Sequence, residues 1–241
     1  MKSKKKADTL RQVASNVYLM TYDSRYDLCM SFVRVQEFYE SPEFKGKYFT
    51  LEEFIDWWSI EMSKIKGSFD YPARWSGFNV PGEIILDWLF ECDEDELRGR
   101  EIDLLKKLAK RLKVNVKSVK TGQCFHTLLK DKLKGIYLIG CSRYESNTAR
   151  RETVAHEVAH ALYTLYPEYR KKCQNLILKM KKNIDDKLIY ECAVDTLDKM
   201  GYDKCVIDDE VQAYFSTGNK FGIREAFVSN LKDFKKKVKN K

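Results

Sequence analysis

The sequence predicts an α+β fold that is mostly helical, with one small sheet. Three observations carry this expectation. Apolar residues recur every three to four positions through most of the second half, the spacing of a helix face. Only two short stretches look like strands: VNVKSVKT alternates, and GIYLIG is continuously apolar. Aromatic residues make up 13% of the chain, while Gly (11) and Pro (4) are few among 241 residues, which argues against extended disorder. That length suits one large domain or two small ones. The expected division is a helical N-terminal region, 1–115, and a second region, 116–241, with the small sheet packed on the helix that carries His156.

The elements follow in order. Between about residues 8 and 35 the pattern is mixed, with Leu10, Val13, Val17 and Met20 at helical spacing. SPEFKGKYFTLEEFIDWW turns at Pro42 and Gly46, and Thr50 with Glu53 forms a capping box for a helix through Ile60. FDYPARWSGFNVPG reads as an aromatic loop. Its Trp75 and Phe78, with Trp57 and Trp58, are expected to fill a core between the halves, the alternative being a substrate-selecting surface. Pro81 suits the first turn of a helix through Phe90. ECDEDELRGREIDLLKKLAKRLK begins acidic and ends basic, which complements a helix dipole, and Leu97, Ile102, Leu105, Leu108 and Leu112 share one face. VNVKSVKT and GIYLIG are then expected to pair. The helix ARRETVAHEVAHALYTLY follows, capped by Asn147 or Thr148 and stopping before Pro167. Val154, Val158, Ala161, Leu162 and Leu165 give it a buried side. KKCQNLILKMKKN, DDKLIYECAVDTLDKMG and EVQAYFST complete a run of helices.

The net charge of +8 comes from lysine clusters near both termini and in KKLAKRLK, RKK and KMKK. A solvated surface is the expectation, and nucleic acid is the alternative partner. LLKKLAKRLKVNVKSV slightly resembles the first helix and turn of a helix-turn-helix, but KTGQC interrupts where the recognition helix would run. Seven cysteines are scattered with no CxxC, a pattern of reduced thiols and not of a disulfide framework or a paired-cysteine zinc site. No apolar run reaches the length of a membrane span, and no apolar segment follows the basic MKSKKKADTL, so a cytoplasmic protein is expected.

AHEVAH, 155–160, uses two of the three histidines. Four apart on a helix, His156 and His160 share one face and can reach one ion. Glu157 points about 100° away, where it can reach a water on that ion. This is the HExxH arrangement of a zinc-dependent hydrolase. Such a site needs a third protein ligand. His126 precedes the motif and ALYTLYPEYR holds no histidine, so a carboxylate from a later helix is expected. Glu210 and Glu191 are the main candidates, Asp208 and Asp209 the others. Asp195, one turn after Glu191, is a candidate partner for a ligand histidine.

At these residues the chain resembles the glutamate-ligand zincins, the gluzincins, in which HExxH is followed by a helix bearing ExxA or ExxxD. Glu210 to Ala213 matches ExxA and Glu191 to Asp195 matches ExxxD. The resemblance covers roughly residues 135–220. It implies a zincin-like domain with Zn²⁺ held by His156, His160 and Glu210, since DDEVQAYF starts a new helix after a loop. It implies Glu157 as general base in the hydrolysis of a peptide or protein. Tyr214, one turn after Glu210, is the first candidate for stabilising the oxyanion; Tyr202, Tyr144, Arg224 and His126 are others. An extended substrate would add to GIYLIG as an edge strand. Two alternatives stand beside this reading. One is a catalytically inactive zincin-like regulatory or binding module, with nucleic acid as a partner. The other keeps the zinc but directs it to esters or other electrophiles.

Overall fold

In the computed structural model, which describes residues 8–41, 43–92, 97–200, 202, 204–218 and 221–239, the chain begins with a β-hairpin where helical spacing had suggested a helix. Strand β1 (Thr9–Ala14) pairs antiparallel with β2 (Val17–Tyr22), with Ala14 opposite Val17. Between them Asn16 takes a left-handed conformation (φ 59°), which asparagine tolerates. The periodicity misled because β2 is almost wholly buried, so its residues do not alternate.

Two further strands complete a sheet of order β1-β2-β4-β3. Strand β3 (Gly77–Pro81) lies inside the segment expected to be a loop, and β4 (Tyr137–Ser142) is the expected GIYLIG strand. β4 runs parallel to β2, from Val17 opposite Tyr137 to Tyr22 opposite Ser142, and antiparallel to β3. All six β4 residues are buried. Because β4 is hydrogen-bonded on both sides, it has no free edge to which a substrate strand could add; β1 and β3 are the edges. VNVKSVKT does not pair with it. Residues 114–121 form turns, with Val114 N–H donating to Ala109 and Val119 N–H to Val116. Helix α5 (Gly99–Arg111) precedes this segment and α6 (Gly122–Leu133), capped by Thr121, follows it. The connection is longer than the turn of about three to four residues in a helix-turn-helix, so that resemblance is not carried by the structure.

Helix α1 (Arg25–Glu40) covers the sheet after capping by Ser24, whose hydroxyl accepts from Asp27 N–H at 2.9 Å. The approach is close: a Cβ added at Gly140 of β4 would lie 2.7 Å from Leu28 Cδ1 and 2.8 Å from Phe32 Cε2. Helix α2 (Leu51–Trp57) carries both halves of the expected Thr50–Glu53 capping box and continues as a π-helical turn, Trp58–Met62. A short helix α3 (Tyr71–Arg74) precedes β3, and α4 (Gly82–Glu91) starts directly after Pro81. Trp58 and Phe78 are buried, and Trp57 and Trp75 pack against the same apolar cluster. Trp58 meets Tyr71 edge-on at 4.7 Å between ring centroids. These aromatics therefore belong to a core formed within residues 1–150.

That core also holds an acid whose ionisation burial disfavours. Tyr71 donates its hydroxyl to Glu37 Oε1 at 2.5 Å. Burial pushes the Glu37 carboxyl up to about 7, against the opposing effect of its hydrogen bonds. The unfolded chain ionises this group near its ordinary 4.5. Its stabilising contribution is thus fully present below about pH 4.5 and is lost as pH rises through about 7. Urea unfolding of Glu37→Gln is expected to remove a decline of about 1–3 kcal/mol between pH 5 and 8 that the unaltered chain shows. An identical decline in both chains would assign it to other groups.

Residues 1–150 form one compact unit and residues 151–241 another. The expected division at 115/116 lies inside the first unit, between α5 and α6. The second unit is helical among its described residues. It contains most of α7 (Asn147–Leu165), then α8 (Pro167–Lys182), α9 (Ile184–Lys199), α10 (Ile207–Thr217) and α11 (Glu225–Lys239). Its core includes Ile177, Met180, Leu197, Val211, Phe215 and Phe227. The basic C-terminal stretch is amphipathic, with Phe227, Leu231, Phe234 and Val238 buried at helical spacing. The α+β class with helix predominating is as expected; of the four strands only β4 comes from an expected segment. No helix among the described residues is long and apolar enough to cross a membrane, and the seven cysteines are free.

Candidate metal centre

Helix α7 opens where Ser146 Oγ accepts from Ala149 N–H at 3.2 Å, one residue before the expected cap. It ends before Pro167, whose ring suits the first position of α8. Small residues allow close packing around the motif: Ala159 and Ala161 are fully buried. The four-residue spacing puts His156 and His160 on one face, with their Nε2 atoms 3.1 Å apart.

Helix α10 supplies the carboxylate. Its first turn holds Asp208, Asp209 and Glu210, favourable at the positive end of the helix dipole, and Gly218 closes it in the left-handed conformation. Glu210 is buried. Its Oε2 lies 3.7 Å from His156 Nε2 and its Oε1 3.5 Å from His160 Nε2. Two ligands about 2.05 Å from an ion at a tetrahedral angle stand about 3.3 Å apart, close to the histidine separation and to the nearest approach of each Glu210 oxygen. The three donor atoms lie within 4.8 Å of one another and can hold a metal ion. No other such group of three occurs among the described residues.

The electrostatics of the cluster favour a cation. Burial disfavours charge on His160, but the carboxylates of Asp209, Glu210 and Glu157 outweigh it and raise its affinity for a proton well above the ordinary imidazole value. Asp209 Oδ1 sits 3.1 Å from His160 Nδ1. In the neutral ring the proton therefore belongs on Nδ1, and the Nε2 lone pair faces His156 and Glu210, the tautomer a metal ligand requires. His156 is held differently. Its ring lies 4.5 Å from the Tyr214 ring, and its buried Nδ1 has no hydrogen-bond partner among the described residues. Glu157 is buried on the same helix, and its charge acts on both His160 and Tyr214. Burial, reinforced by Glu210, pushes the Tyr214 phenol up to about 12 against a hydrogen bond with Tyr202. Tyr214 is thus a neutral donor at ordinary pH.

The remaining candidates make other contacts. Glu191 and Asp195 are exposed and pair with Lys187 and Lys199 one turn away, so Glu191 is not the carboxylate of the cluster and Asp195 does not support a histidine in it. Asp208 accepts the Tyr190 hydroxyl at 3.0 Å. His126 rests on the Phe90 ring, Tyr144 is exposed beside Arg25, and Arg224 lies over Phe215. Sequence reasoning treated Asp209 as a rival ligand and missed its role beside His160. The available signal was its place next to Glu210 at one helix N-terminus. Compared with protein-family models, curated proteins and solved structures, the chain matches none of them.

Proposed function

We propose that the chain is a zinc-dependent metallopeptidase that hydrolyses a peptide or protein. The observation that carries this reading is the convergence of Glu210, from a separate helix, on the two histidines of HExxH at separations suited to tetrahedral coordination. Two imidazoles and one carboxylate are a donor set that suits zinc in a hydrolytic site and leaves a fourth position open. A bound zinc ion supplies Lewis acidity and brings the pKa of a water toward neutrality.

The chain's own residues supply the rest. Glu157 Oε accepts the proton of the attacking water and then delivers it to the leaving amine nitrogen. The neutral Tyr214 hydroxyl donates to the oxygen that gains charge as the carbonyl becomes tetrahedral. Asp209 keeps His160 turned toward the cluster. Because β4 has no open edge, the substrate is not held by addition to that strand.

The test is cleavage of a peptide library by the zinc-loaded chain, with chelator and zinc add-back as controls. Cleavage that disappears with chelator and returns with zinc is expected. Tyr214→Phe is expected to lower kcat about 10²-fold with little change in KM. A zinc-loaded, folded chain that cleaves no member of the library would contradict the peptidase reading.

A further inference from the structure

Gln212 of α10 is fully buried, at 0% exposure, although an amide is an expensive group to bury unless its hydrogen bonds are made. Its Nε2 donates to Asp209 Oδ1 at 2.9 Å. Its Oε1 accepts the Tyr169 hydroxyl at 3.0 Å and faces Cys173 Sγ at 3.8 Å. Cys173 Sγ in turn accepts from Asn230 Nδ2 at 3.3 Å. Tyr169 and Cys173 are themselves fully buried. The Asp209 oxygen held by Gln212 is the one that faces His160 Nδ1 at 3.1 Å. One carboxylate oxygen thus joins an imidazole on one side to an amide on the other, and the chain of contacts ties together α7, α10, α8 and α11.

The network has a direction. Reversing the amide would put its oxygen against the Asp209 carboxylate; in the observed orientation the Tyr169 hydroxyl donates to Oε1. An apolar residue of similar volume would fill the same space without these demands, so packing alone does not explain a glutamine here. We propose that Gln212 and Tyr169 are positioning residues for the metal centre: through Asp209 they hold His160 with Nδ1 protonated and Nε2 presented to the ion. This rests on reading the His156, His160 and Glu210 cluster as a metal site, and not on peptidase activity.

The test uses the full chain, stripped of metal, with Zn²⁺ as the probe in competition with a chromophoric chelator. Gln212→Met is expected to weaken zinc binding about tenfold and Tyr169→Phe about threefold. Long-range ¹H–¹⁵N spectra of the metal-free chain, taken at a pH high enough to leave His160 neutral, should show its Nδ1–H tautomer in the unaltered protein and a mixture in Gln212→Met. Ile177→Val, a core change in the same unit, should alter neither readout. Tyr169→Phe removes a single oxygen and carries the test if Gln212→Met does not fold. If the unaltered chain binds zinc and both variants bind it equally well with the same tautomer, the positioning role is overturned and the metal reading survives. If the unaltered chain binds no zinc, the metal reading falls and the proposal with it.

Discussion

Glu157→Gln is expected to lower peptide hydrolysis by about 10²–10⁴-fold while leaving the metal content unchanged. That range corresponds to about 3–5 kcal/mol of lost transition-state stabilisation. The amide matches the carboxylate in shape, so the buried position beside His156 stays filled. It has no basic oxygen, so it cannot take the proton of the attacking water. None of the three clustered donor residues is altered, which separates this variant from one that merely loses the ion. Initial rates on a cleaved library peptide, beside elemental analysis of the same preparations, make the comparison. Full activity in Glu157→Gln would remove the residue from the proposed mechanism. Lost metal would give it a structural role instead.

Arg34→Met is expected to destabilise the chain by about 3–5 kcal/mol, the largest stability effect anticipated for a single substitution here. Arg34 of α1 and Glu101 of α5 are both buried and joined by two parallel hydrogen bonds: Nε donates to Oε1 at 2.8 Å and Nη2 to Oε2 at 2.6 Å. Burial works against the guanidinium charge, but Glu101 outweighs it and strengthens the hold on the proton. Glu101 also accepts the Arg98 backbone N–H at 2.8 Å, at the start of α5. Methionine at 34 would leave this carboxylate buried without its cation. Arg34→Met with Glu101→Leu removes the stranded charge, so the double variant should recover most of the loss, less about 1 kcal/mol for the missing cap. Urea unfolding of the two single variants and the double variant tests this. A double variant no more stable than Arg34→Met would show that the penalty is lost packing and not an uncompensated charge.

Different physical signals explain what could be read from the sequence. Caps and breakers are local, so the Thr50–Glu53 box, the helix after Pro81 and the end of α7 before Pro167 were legible. The hairpin was not, because β2 is buried on both faces and its apolar spacing also fits a helix. VNVKSVKT alternates, yet Val114 N–H bonds back to Ala109 past a left-handed Lys113, a helix C-terminal cap that alternation cannot report. At the candidate centre, helical spacing alone brought His156 and His160 together. Glu210 was legible because a short acidic turn opens a new helix ahead of the small Ala213. Asp209 and Gln212 were not, since their roles depend on side-chain directions across four helices.

The most direct test of the central claim is the metal content of untagged protein purified without chelator, with His156→Ala, Glu210→Ala and Glu191→Ala measured beside it. The account predicts about one zinc ion per chain, lost in His156→Ala and Glu210→Ala and kept in Glu191→Ala. A folded, unaltered chain that takes up no zinc even when zinc is added back, or a Glu210→Ala variant that keeps it, would contradict the account.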